Sequence, residues 1–123
     1  MLPGELERRG ILGINAHNQR YTMRVNERRF YPLVDDKLAT KRLCQDARIP
    51  VPRLLATAPH HFELRRLLAE LERYHAFVLK PVRGAMGNGI VVVLGRRSDR
   101  FVRAGGREIS REGFLYHAAG IIS

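Results

Sequence analysis

The stretch FVLKPVRGAMGNGIVVV, residues 77–93, carries residue types that can bind a phosphate group. Lys80 closes one apolar run, and Gly84, Gly87 and Gly89 follow before a second apolar run begins. Glycine adopts positive φ readily and lets backbone amides approach an anion without a Cβ in the way. Successive amides in such turns form an anion-binding concavity, and a neighbouring ammonium adds a charge-assisted hydrogen bond. We therefore interpret residues 83–89 as a candidate phosphate-binding loop.

The competing interpretation of this loop is a flexible hairpin whose glycines only relieve strain. Hairpin loops usually contain about two to five residues, whereas residues 83–89 form a longer connection. The loop is not a P-loop, because its lysine precedes the glycines, and it is not a dinucleotide fingerprint, because a strand follows it. Length and composition together favour phosphate binding.

Lysine is scarce in this chain, which has 19 arginines but only three lysines: Lys37, Lys41 and Lys80. The two residue types serve about equally well on solvated surfaces. A lysine that persists in such a chain is a candidate for a role that needs a compact, mobile ammonium. The scarcity therefore directs attention to Lys37 and Lys80.

The sequence lacks the usual motifs of metal sites and activated nucleophiles. Its five histidines form no HExxH pattern, Cys44 is the only cysteine, and there is no GxSxG turn. Asp35 and Asp36 stand where a helix is expected to begin, so we assign them to capping rather than to acid–base chemistry. We assign no catalytic residue and no metal ligand.

Helices and strands must position the lysines and the loop. Asp35 or Asp36 can cap a helix whose first turn begins near Lys37, and the prolines that follow residue 49 end it. The sequence RLLATA, residues 53–58, predicts a short strand. Residues 61–75 predict an amphipathic helix, because leucines recur at helical spacing and the opposite face holds Glu and Arg at ion-pair spacing.

The C-terminal third predicts a small sheet and a last helix. AFVLK and IVVVLG predict strands, and their near-continuous apolarity indicates that they are covered on both faces or lie centrally. RFVRAGGREIS predicts a hairpin that turns at Gly105 and Gly106. Ser110 can cap the last helix. The order of elements indicates an α+β fold, with helices packed on a small antiparallel or mixed sheet.

Composition limits the broad class of the protein. The chain has 123 residues, of which 45% are hydrophobic, so one ordinary domain with its own core is expected. No apolar run is long enough to cross a bilayer, and the N-terminus does not resemble a signal peptide. A single cysteine excludes an internal disulfide. We expect a cytoplasmic protein without a membrane partner.

The charge pattern bears on polyanion binding. The formal net charge of +10 is spread evenly, with +3 in residues 1–34, +3 in residues 35–80 and +4 in residues 81–123. Such an excess attracts nucleic acid and nucleotides, but a dedicated nucleic-acid surface is usually more clustered. A basic α+β module that binds nucleic acid is therefore the disfavoured alternative.

Two motifs in fixed order resemble a known family. DDKLATKRL…IPVP, followed about thirty residues later by FVLKPVRGAMGNGI, resembles the N-terminal half of an ATP-grasp domain. The similarity is to the alpha-L-glutamate ligase homologues, and GILGINAHNQRYTMRVNERRFYPLVDDKLATK resembles the N-terminal segment of that group. The resemblance covers residues 10–123. It implies an N-terminal segment over residues 1–34 and the first lobe of an ATP-grasp fold over residues 35–123.

The resemblance also implies roles for single residues. Lys37 matches a lysine that reaches the ATP phosphates from the first helix, and Lys80 matches a lysine on the α- and β-phosphates. The loop matches the flap over the β- and γ-phosphates. Its implied nucleotide-binding residues are Gly84, Ala85, Met86, Gly87, Asn88 and Gly89. Many family members carry a serine where this chain has Ala85, which removes a hydroxyl but keeps the amide.

The activity implied by the resemblance is ATP-dependent carboxylate–amine ligation through an acyl phosphate, with unspecified acid and amine substrates. In the family, the adenine-binding strand and the magnesium ligands lie in a second lobe. The late carboxylates Asp99, Glu108 and Glu112 lack the paired spacing of magnesium ligands. We therefore expect a fragment that is inactive alone, binds ATP weakly or not at all, and can self-associate through an exposed sheet face.

Overall fold

A computed structural model describes residues 3–84 and 86–122, and it confirms the α+β class. Three- and five-residue turns of 3-10 and π-helix lie between some of the helices. In chain order the regular elements are α1 (Pro3–Arg8), α2 (Ile14–His17), α3 (Met23–Val25), α4 (Tyr31–Asp35), α5 (Lys37–Asp46), α6 (Leu64–Leu71), β1 (Phe77–Leu79), β2 (Val91–Arg97), β3 (Arg100–Arg103), β4 (Glu108–Ile109) and α7 (Arg111–Ile121).

The N-terminal part consists of short helices without a core of their own. No residue of α2 to α5 is buried. The Thr40 hydroxyl donates to the Leu33 carbonyl, which ties α4 to α5 across the predicted boundary between residues 34 and 35. That domain boundary stays a prediction.

Helix α5 begins at Lys37, as predicted, and Asp36 rather than Asp35 caps it. The Asp36 Oδ1 accepts hydrogen bonds from the backbone amides of Leu38 and Ala39, both at 2.9 Å. These amides would otherwise lack a partner at the first turn of a helix.

The predicted strand over residues 53–58 is wrong. These residues lie outside any helix or strand, although Leu55, Ala56 and Ala58 pack against the core. Their apolar side chains thus become partly buried without pairing in the sheet. Pro52 and Pro59 flank the segment, and proline cannot donate a hydrogen bond to a strand ladder.

The core lies between two helices and one face of the sheet. Helix α6 is shorter than the predicted span of 61–75, but its leucine face is buried, and the predicted Glu–Arg ion pairs form at its two ends. Helix α7 begins after Ser110, whose hydroxyl accepts from the Gly113 amide. The buried hydrophobic side chains of the described residues are Leu64, Leu67, Leu68, Leu71, Phe77, Val91, Val93, Phe101, Phe114 and Ala118.

The sheet is antiparallel in the order β1-β2-β3-β4, and one of its faces is open in the part of the chain that the structure describes. Val78 and Leu94 are 49% and 56% exposed, while their strand neighbours face α6 and α7. Strand β2 lies centrally, as predicted, but β1 is an edge strand with a single covered face, contrary to expectation. A bulge in β2 sets Leu94 and Gly95 opposite Val102.

Candidate functional site

The glycine-rich loop leaves and rejoins the sheet at paired positions. Leu79, the last residue of β1, pairs with Val91, the first residue of β2. The connection therefore spans residues 80–90, which is longer than the predicted 83–89. A connection of this length exceeds what a simple hairpin requires.

The backbone of the loop uses conformations that favour glycine. Gly84, Gly87 and Gly89 have φ of 115°, 75° and 74°, and Met86 has φ of 60°. A left-handed conformation costs a residue with a Cβ roughly 1–2 kcal/mol. Met86 bears this strain while its side chain is 96% exposed, so packing of that side chain does not explain it. Ala85 lies outside the described residues.

The tip of the loop presents amides to solvent. A hydrogen bond from the Ile90 amide to the Gly87 carbonyl closes the descending turn. Met86, Gly87 and Asn88 form the tip and lie in a turn. All three residues are exposed. The backbone of the tip is thus accessible to an anion.

Lys37 reaches the first end of the loop. Its Nζ donates to the Gly84 carbonyl at 2.8 Å, and its backbone amide donates to the Val82 carbonyl at 3.0 Å. The side-chain contact spans 47 positions of sequence. The structure thereby brings together the two motifs that the sequence had only placed in order.

The helix end itself offers little to an anion. The first three amides of α5 already donate, that of Lys37 to the loop and those of Leu38 and Ala39 to Asp36. The Ala39 and Leu38 amides, together with the nearby charges of Arg83 and Arg42, lower the pKa of Asp36 although partial burial opposes the shift. The lysine side chain, rather than the helix terminus, is the group available to a ligand.

The other two lysines occupy different positions. Lys80 is exposed and is the first residue of the loop, directly after β1 and two residues before Val82. Lys41 lies one turn after Lys37 in α5, and its Nζ donates to the Pro52 carbonyl. Lys41 is therefore a lysine of the same helix that contacts a different segment.

Helix α7 holds the second end of the loop. The His117 Nε2 lies 3.1 Å from the Gly89 carbonyl. A Cβ built on Gly89 would lie 2.6 Å from the Ile121 Cγ2 and 3.6 Å from the Pro81 Cγ. Sequence analysis missed His117, because only the packing of α7 places it beside the loop.

The described part of the chain also bears on metal binding and on membrane spanning. No three His, Cys, Asp or Glu side chains there lie close enough together to hold a metal ion, so these residues alone do not fit Mg²⁺. None of the helices over residues 3–84 and 86–122 has the length and apolarity needed to cross a bilayer.

Comparison with known families yields a match. The model of a family described as sugar-transfer associated ATP-grasp matches residues 16–123. Comparisons with curated proteins and with solved structures find no match. The matched range contains α5, the glycine-rich loop, the whole sheet and α7.

Proposed function

Because the chain belongs to the sugar-transfer associated ATP-grasp family, we propose that Lys37, Lys80 and the loop over residues 80–90 bind the phosphates of ATP. The α+β fold with its four-stranded sheet is that of a partial ATP-grasp lobe. Proteins of the ATP-grasp kind are ATP-binding and ligase-like. The assignment to single residues of this chain is our proposal.

The observation that carries the proposal is the contact between the Lys37 ammonium and the Gly84 carbonyl at 2.8 Å. An ammonium has three donors and no acceptor. One donor is used by Gly84, which leaves two for phosphate oxygens beside the loop. A charged lysine held at the first end of a glycine-rich loop is an arrangement suited to a polyphosphate.

The residues of this chain would act by positioning and charge. Bound ATP supplies the phosphoryl group that is transferred. Lys37 and Lys80 neutralise phosphate charge, and the amides of Met86, Gly87 and Asn88 donate to phosphate oxygens. The described residues do not supply a magnesium ligand set.

We further propose carboxylate activation, as in glutamate ligases. A carboxylate oxygen would attack the γ-phosphorus and release ADP, and an amine would then displace phosphate from the acyl phosphate to form an amide. The family description includes an association with sugar transfer, so amino and hydroxyl groups of sugars belong among the acceptors to be tested. Hydroxylamine, which traps acyl phosphates as hydroxamates, serves as a general acceptor.

The test compares two lysines of one helix. Lys37→Met removes the ammonium at the loop, whereas Lys41→Met removes an equal charge that contacts Pro52. Loss of a charge-assisted hydrogen bond of about 1.5–3 kcal/mol should weaken binding of MgATP and of inorganic tripolyphosphate about tenfold or more. Lys41→Met should change the Kd by less than about twofold.

Amide shifts in nuclear magnetic resonance spectra give the Kd and the place of binding together, even when binding is weak. The shifts should centre on the amides of residues 84–90. If the two lysine variants weaken binding equally, the loss of affinity is explained by net charge alone and not by the contact with the loop. Shifts confined to other parts of the chain would remove the loop from the binding site.

A further inference from the structure

The glycine-rich loop is fastened at both ends by helix side chains, and its middle is exposed. Lys37 from α5 holds the Gly84 carbonyl at the first end. His117 from α7 holds the Gly89 carbonyl at the second end, with Nε2 to oxygen at 3.1 Å. The tip between these anchors, Met86 to Asn88, is exposed.

The anchor at Gly89 is part of a packed helix. Phe114 and Ala118, on the same helix as His117, are 0% and 1% exposed, so α7 is fixed against the core. Ile121 lies so close to Gly89 that a Cβ there would be 2.6 Å from its Cγ2. A rigid helix therefore contacts the loop through one polar and one apolar side chain.

The chemistry of the polar contact defines the state of the ring. A carbonyl oxygen only accepts hydrogen bonds, so the His117 Nε2 must carry the hydrogen. Both the neutral ring with its hydrogen on Nε2 and the imidazolium satisfy this requirement. A glutamine amide has a comparable reach and can donate in the same way, whereas asparagine is one methylene shorter.

We propose that His117 is a positioning residue of the phosphate site, which acts by fixing the Gly89 carbonyl and thereby the orientation of the loop amides. The proposal rests on the proposed phosphate-binding function. Phosphate binding requires several amides of one loop to point at one anion, and each end that is free to rotate adds conformations that binding must exclude. His117 removes that freedom at the second end of the loop.

A second histidine that contacts helix α7 supplies a matched control. His61 places its Nε2 3.1 Å from the Ala119 carbonyl of α7, the same distance and the same type of bond as at His117, but away from the loop. His61→Ala therefore removes a comparable histidine–carbonyl contact. It separates the positioning role of His117 from its contribution to the stability of α7.

The experiment measures amide hydrogen exchange in the loop of the free protein, and the Kd for tripolyphosphate and MgATP. His117→Ala should speed exchange of the Gly89 and Ile90 amides and weaken binding, each about three- to tenfold, the range that one neutral hydrogen bond supports. His117→Gln should restore both quantities to within about twofold of wild type, whereas His117→Asn should match the alanine variant. His61→Ala should leave both at wild-type values.

Wild-type exchange rates in His117→Ala, or equal loop loosening in His61→Ala, would overturn the proposal. If His117→Ala does not fold, the contrast between the glutamine and asparagine variants decides it in the same way. Two results together would separate the anchor from the function. Faster loop exchange in the asparagine variant would confirm that His117 anchors the loop. An absence of loop shifts when tripolyphosphate or MgATP is added to the wild type would overturn the phosphate-binding function.

Discussion

Gly89 is the residue whose replacement best tests the packing of the loop. Gly89 and Gly87 have nearly the same φ, 74° and 75°, but only Gly89 has a neighbour within Cβ contact. Gly87→Ala should lower the free energy of unfolding by about 1–2 kcal/mol, the cost of a left-handed alanine. Gly89→Ala should cost about 1–3 kcal/mol more, because its methyl group overlaps Ile121. Denaturant unfolding measures both values.

The double variant Gly89→Ala/Ile121→Ala supplies the control for that prediction. Removing the Ile121 side chain frees the space for the new methyl group, so the extra cost should largely disappear relative to Ile121→Ala alone. Equal effects of the Gly87 and Gly89 variants would show that Ile121 does not constrain the loop.

The sequence allowed prediction of some residues of the candidate site and not of others. Lys37, Lys80 and the three glycines follow from residue type and order along the chain. The contact between Lys37 and Gly84 needed the docking of α5, and the contact between His117 and Gly89 needed the packing of α7. Such contacts depend on tertiary structure. The residues next to a helical histidine in the sequence do not indicate its hydrogen-bond partner.

The N-terminal cap of helix α5 makes the stability of the folded chain depend on pH. The Ala39 and Leu38 amides and the nearby arginines lower the pKa of Asp36 in the folded chain. A lowered carboxyl pKa stabilises the folded state above the ordinary value of 3.8, and that stabilisation is lost as pH falls through the folded value. Asparagine also caps helices but does not titrate.

Asp36→Asn should therefore keep helix α5 at neutral pH and remove part of the acid sensitivity of the protein. The measurement is the melting temperature from neutral pH to below 3.8, followed by circular dichroism. The difference between wild type and Asp36→Asn should change only in the acidic range. Asp35→Asn, which alters the neighbouring carboxylate outside the cap, should retain the wild-type profile, and an identical change in both variants would contradict the assignment.

At the scale of elements, local signals predicted more than long-range ones. The leucine spacing of α6, the cap of α7 and the Gly105–Gly106 turn are local, and all three are confirmed. Residues 53–58 have strand-like composition, but they pack on the core without a partner strand. Pairing depends on where other segments lie, so composition alone could not decide that case.

At the scale of the whole molecule, the net charge of +10 is the feature that bears on nucleic-acid binding. Eight arginines, spread from α1 to α7, form ion pairs with glutamates in the described part of the chain. We expect duplex DNA and RNA to bind only at low salt. The slope of the logarithm of the affinity against the logarithm of the salt concentration should correspond to about one or two released counterions. Fluorescence anisotropy across a salt series measures that slope. A steep slope with saturable binding at physiological salt would favour the nucleic-acid module instead.

The open sheet face leads to a prediction about self-association. Helices α6 and α7 cover one face, whereas Val78 and Leu94 are exposed on the other, beside half-buried Val92 and Val102. A contiguous apolar patch of this kind promotes association. The paired substitution Val78→Thr/Leu94→Thr places a β-branched residue at each strand position and reduces the apolar surface.

We expect sedimentation velocity to show concentration-dependent dimers of the wild type and a dimer Kd raised about tenfold in the threonine variant. Each lost apolar contact of this size contributes about 1 kcal/mol, and a factor of ten corresponds to about 1.4 kcal/mol. Tyr116→Gln is the control, because Tyr116 is 85% exposed on α7, on the covered side of the sheet. The threonine variant should become more monomeric while the Tyr116 variant does not. A wild type that stays monomeric at every concentration would show that the open face does not pair with itself, and equal shifts in both variants would place the contact elsewhere.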